Sequence, residues 1–152
     1  MEQKTVKIYL PGIKAVSRNQ TTGHFYHYYD QLATAEKWMW TYGKRLEYHF
    51  EKPVTVDIVA YYKDTRTIVS KNNNVFVGKI NTPDVPNIDD KIFTDVLVRW
   101  KRQKKGPPIE RSVWFIEDDN PSMLKSVTKT SIPGDQYGVL IIIKEVPVAD
   151  IG

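Results

Sequence analysis

The sequence predicts an α/β (α+β) fold in which a mixed sheet packs against two main helices, all in one compact domain over residues 1–152. Three observations predict it. Several stretches alternate apolar and polar residues as half-buried strands do. Two others carry apolar residues at steps of three and four, the mark of a helix with one face on a core. With 152 residues and 41% apolar composition, the chain has enough material for one core and too little for two.

Val6, Ile8 and Leu10 alternate with polar neighbours, so residues 5–10 form an opening strand that Pro11 and Gly12 end. From residue 30, Leu32, Ala35, Met39, Tyr42 and Leu46 recur at helical steps, and a helix to about residue 51 is expected before Pro53. Val54, Val56, Ile58, Ala60 and Tyr62 alternate again, giving a second strand over 54–62. Residues 63–81, with turn-rich Lys71 to Asn74 inside them, read as an added hairpin. Asn87 is a good N-cap with Asp90 three residues on, and Ile88, Ile92, Val96 and Trp100 form a four-residue stripe, so a second helix over 88–100 is expected. A basic loop follows over 99–111, and strands over 112–116, 124–132 and 137–146 complete the fold.

The chain has no cysteine, which excludes disulfides, thiolate metal sites and thiol nucleophiles, so any metal must take oxygen or imidazole ligands. The N-terminal residues lack the apolar stretch of a signal peptide, and no run approaches the length of a membrane span. A soluble cytoplasmic protein without membrane partners is the expectation. A net charge of +4 suits a polyanionic partner without specifying one. Arg99, Lys101, Arg102, Lys104 and Lys105 crowd the basic loop, and Lys125 and Lys129 alternate along one strand face; that these seven are DNA-binding cations is what the family resemblance described below implies. A solvated turn and a solubilised strand edge explain the same residues without DNA.

The acidic residues carry more chemistry. Asp84 lies in the loop before the second helix, Asp89 and Asp90 at its start, and Asp118 and Asp119 just beyond a strand expected to return beside it. Phosphodiester hydrolysis needs a more acidic water and a stabilised leaving oxyanion, and magnesium held by carboxylates supplies both. Asp84, Asp89, Asp90, Asp118 and Asp119 are therefore the candidate metal ligands. Lys91 is placed to neutralise charge on the phosphorus, with Asp84 and Asp119 beside it as catalytic residues. Taken separately, Asp89 and Asp90 equally suit a helix start, and Asp118 and Asp119 a polar turn. His24 and His27 lack a further ligand pair, and the aromatic run from His24 to Tyr29 suits either packing or stacking on unpaired bases.

Pro83, Asp84, Asn87 and Lys91, then Asp95 to Leu97, then Asp118 and Asp119, resemble the active-site motif of the RusA family of Holliday junction resolvases, phage and prophage nucleases. The order of strands and helices resembles that family over most of the chain. The resemblance implies a RusA-like scaffold, Mg2+ as cofactor, and paired cuts in a four-way DNA junction by a homodimer in the cytoplasm of a bacterial host. Two departures stand out: Pro86 occupies the family's second aspartate position, and Lys91 falls one position late. Asp89 or Asp90 is the expected replacement carboxylate. Three other readings compete. One is a RusA-like protein that binds branched DNA without cutting it. Another is a module whose acids only cap helices and turns. The third, a restriction-like nuclease, conflicts with the spacing between Pro83-Asp84 and Asp89-Asp90-Lys91.

Overall fold

The computed structural model describes residues 3–15, 25–63, 68–71, 74–77, 89–103 and 105–147. A four-stranded mixed sheet forms its base, in the order β1 (Thr5–Pro11), β8 (Gly138–Glu145), β2 (Val54–Lys63), β7 (Leu124–Gly134). β8 runs antiparallel to both its neighbours, and β2 runs parallel to β7. The mixed sheet and the two helices packed with it are those expected from the sequence.

One face of the sheet makes the core. Val6, Ile8 and Leu10 of β1, Val56, Ile58 and Ala60 of β2, and Val139, Ile141 and Ile143 of β8 are all buried, as period-two alternation requires. Tyr62 ends this row. Its hydroxyl donates to the Ala15 carbonyl at 3.0 Å and so ties the segment after β1 to β2, while burial pushes its phenol pKa up to about 12.

Helix α1 (Phe25–Trp38) lies against this core through Leu32 and Ala35. It starts earlier than expected and does not continue regularly to residue 51. Residues Met39–Gly43 widen into a π-helical turn and Lys44–Leu46 tighten into a 3-10 turn. The change of pitch breaks the predicted stripe: Met39 and Gly43 are buried, but Leu46 is exposed. Beyond it, the Phe50 amide donates to the Phe115 carbonyl at 2.8 Å, so the chain there is drawn into strand-like pairing.

The second helix is also shorter. α2 covers only Lys91–Asp95. Ile92 and Val96 are buried as expected, but Val98 bridges Ile116, and Trp100–Lys101 form strand β5, paired antiparallel with β6 (Ile109–Glu110). Three amide bonds direct this: Arg99 donates to Ile116, and Phe115 and Ile116 both donate to Leu97. Pairing with a distant segment outcompetes helix continuation in a stretch rich in β-branched residues. The expected strand over 112–116 reduces to the bridge at Ile116, which joins Phe50 and Val98 on its two sides. The hairpin expected within 63–81 is present in its described parts, as β3 (Ile68–Lys71) paired antiparallel with β4 (Asn74–Val77). No described helix is long and apolar enough to cross a membrane.

Candidate active site

The Ile116 bridge positions the site. Because residues 115 and 116 are hydrogen-bonded to residues 97 and 99, the acids that follow, Asp118 and Asp119, lie against the end of α2. A recess of about 390 Å³ opens there, with Asp118, Asp119, Asp95 and Lys91 on its wall. Lys91 and Asp95 are four residues apart, one helical turn, and so share a face of α2. Asp95 is not among the expected ligands, although it opens the Asp95 to Leu97 part of the motif that resembles the RusA family.

The Asp118 carboxylate is held by its own turn. One oxygen accepts the Asp119 amide at 2.8 Å, the other the Asn120 side-chain amide at 3.1 Å. The Asp119 amide, the Asn120 side chain and the nearby Arg102 keep its pKa below the usual carboxylate range. Asp119 moves the opposite way: partial burial, then its contact with Asp118 and the negative charge of Asp95, push it up. Three carboxylates thus line one recess, where burial first and the neighbouring charges second disfavour the ionised form of Asp119.

Among the described residues, no group of three Asp, Glu or His side chains is close enough together to hold a metal ion. The chemistry of Asp118 and Asp119 nevertheless suits magnesium, which needs only one or two protein carboxylates when water and substrate phosphate complete its shell. Asp84, one of the five expected ligands, lies outside the described residues, as do Pro86 and Asn87.

Asp89 and Asp90 go elsewhere. Asp89 is buried, and its Oδ1 accepts the Lys91 backbone amide at 3.1 Å, closing the turn that starts α2. Asp90 forms an ion pair with Lys129 of β7 at 3.2 Å, a contact with both side chains mostly buried. Neither lines the recess; among the described residues, Asp95 is the carboxylate that faces the Asp118–Asp119 pair.

The candidate DNA-binding cations divide as well. Lys101 and Arg102 line the recess, joined by Arg111, whose side chain is only 8% exposed. Lys101 is tied to Glu36 of α1 at 2.9 Å, while Arg102 acts on Asp118. Arg99 is engaged by Glu110 and Glu117, at 3.3 and 3.2 Å. Lys105 is exposed away from this wall, and Lys104 lies outside the described residues. Lys125 and Lys129 do not form one basic face: Lys125 is the extra residue where the β2–β7 register shifts, and Lys129 stands beside buried Ile58 and turns to Asp90.

Two aromatic residues complete the recess, Tyr29 of α1 and Trp100 of β5. The four-residue stripe places Trp100 on a helix face, and Tyr29 ends a run suited to packing or stacking. The structure leaves Tyr29 58% and Trp100 42% exposed. Comparison with protein-family models, curated proteins and solved structures finds no match to this chain.

Proposed function

We propose that this protein is a magnesium-dependent, structure-selective endodeoxyribonuclease that cuts four-way DNA junctions, as the resemblance to the RusA family implies. The observation that carries the reading is the convergence of Asp118 and Asp119, distant in sequence from α2, on the Lys91 and Asp95 face of that helix. In this reading Asp118 and Asp119 would hold the ion, which when bound makes water a better nucleophile and stabilises the leaving oxygen. Lys91 and Arg102 face the recess and bring positive charge to the scissile phosphate. Asn120 and the Asp119 amide keep the Asp118 carboxylate ionised and aimed. Hydrolysis forms one oxygen–phosphorus bond from water and breaks the one to the sugar oxygen.

A homodimer would present two such recesses to two opposed strands of a four-way junction, in a bacterial cytoplasm where phage or prophage DNA recombines. A second reading, a junction binder without cleavage, is favoured by the placement of Asp89 and Asp90 away from the recess. Incubating labelled junction, duplex and single strand with the protein in magnesium or EDTA, beside Asp118→Asn and Asp119→Asn, tests both. Paired magnesium-dependent nicks lost in both variants support the nuclease. Tight junction binding without nicks supports the binder, and equal treatment of all three substrates removes both.

A further inference from the structure

The recess holds a feature that phosphodiester hydrolysis does not require. Trp100 is fixed on a two-residue strand paired with β6, yet it stays 42% exposed. Its position is braced from one side. The Arg99 guanidinium lies 5.1 Å from the Trp100 ring centroid and 5.0 Å from that of Trp114. Trp114 in turn stacks on His49, with centroids 3.5 Å apart and planes at 12°. Ion pairs to Glu110 and Glu117 hold Arg99 within this column.

A cation between two indoles explains one side of the Trp100 ring. It does not explain why the ring also borders a recess lined by Lys91, Arg102 and Asp119, where Tyr29 contributes a second exposed ring. Exposed aromatics beside cations are the arrangement by which proteins take unpaired nucleotides: the base stacks on the ring, and the phosphates follow the positive charge. A base inside a duplex offers no free face, so such a platform acts only on strands already opened.

We propose that Trp100 and Tyr29 form a stacking platform for an unpaired base next to the scissile phosphate, so that the recess takes a locally unstacked strand. This rests on the nuclease reading of the same recess and adds to it the state of the nucleotide that enters. The braced Trp100 is the main platform, and Tyr29 extends it.

Binding in EDTA, where no cutting occurs, separates the two ideas. Anisotropy would be measured for the full chain with a four-way junction, a ten-residue oligothymidine, and a ten-residue strand of the same backbone lacking every base. The platform predicts that wild type binds the oligothymidine roughly 5- to 150-fold more tightly than the baseless strand. Trp100→Ala and Trp100→Leu should lose most of that preference yet bind the baseless strand as wild type does, with thermal unfolding showing that each variant is folded. Trp100→Phe should restore part of it, and Tyr29→Ala should show a smaller loss. Equal wild-type affinity for the two strands, or a preference that survives in both Trp100→Ala and Tyr29→Ala, overturns the platform. If the junction is still cut in a parallel reaction with magnesium in that case, the nuclease reading stands without it. Failure of the oligothymidine to bind overturns the platform, and absence of junction cutting in magnesium overturns the nuclease reading.

Discussion

The chain contains two adjacent aspartate pairs with the same composition and opposite surroundings. Asp89–Asp90 opens α2, and both carboxylates are engaged, one with its own backbone and the other with Lys129. Asp118–Asp119 follows the Ile116 bridge, where it shares a recess with Asp95 and with cations. In the first pair negative charge is neutralised within the fold. In the second, hydrogen bonds from the Asp119 amide and Asn120 pull Asp118 down in pKa, while partial burial and then the neighbouring Asp118 and Asp95 push Asp119 up. The difference teaches that an acidic pair becomes a candidate site through its placement on an open recess beside cations, not through its composition.

The largest expected effect is on cutting. Asp119→Asn and Asp118→Asn should each lower the junction-cleavage rate by roughly 10²- to 10⁴-fold in a single-turnover assay. Asp90→Asn should leave it near wild type. A comparable loss in Asp90→Asn would break the contrast between the pairs.

Stability should show the reverse order. Asp89→Ala removes the acceptor for a buried turn and should cost about 1–3 kcal/mol in urea unfolding. Asp119→Asn should cost nothing at neutral pH, because it removes a carboxylate that the fold disfavours in its charged form.

The cations sharpen the same contrast. Lys129→Met breaks a mostly buried pair and should cost about 1–3 kcal/mol, between the values for exposed and buried pairs. It should leave the salt dependence of DNA binding unaltered, whereas Arg102→Gln should reduce the slope of log affinity against log salt by about 1.

The smallest effect is in pH dependence, where the signs differ. The pKa of Asp118 is lowered in the fold, so its stabilisation is complete above the unfolded value and is lost as pH falls through the folded one. The pKa of Asp119 is raised, so its penalty is complete above the folded value and is relieved as pH falls toward the unfolded one. The advantage of Asp119→Asn over wild type should therefore shrink first on acidification. The disadvantage of Asp118→Asn should persist to lower pH. Urea midpoints measured across the acidic range check both.

The strands were the most legible part of the fold. β1 and β2 alternate because one face of each meets the core, and period-two patterning records that directly, whereas β8, paired on both sides, is a continuous apolar run over residues 139–143. The helices were legible in kind and wrong in extent. Leu46 and Trp100 sit at the correct steps of their stripes, but a π-helical turn rotates the first out and pairing with β6 removes the second. Of the site, Asp118, Asp119, Lys91 and Arg102 were readable as types suited to phosphate chemistry. Asp95, Tyr29 and Trp100 appear in a motif, an aromatic run and a helical stripe without being assigned to this recess, and Arg111 is not singled out, because what qualifies each is a neighbour far away in the chain.

The sequence by itself determined the donor chemistry and the core. Without cysteine, and with acids clustered at two turns, any metal site must be built from oxygen or imidazole ligands, and local alternation states which side chains are buried. Only the tertiary structure decided which acidic pair faces a recess. That choice depends on hydrogen bonds from residues 115 and 116 to Leu97 and on an ion pair from Lys129 to Asp90. Contacts between residues so distant in sequence leave no periodic trace in it, because no local spacing records which partner a carboxylate will meet.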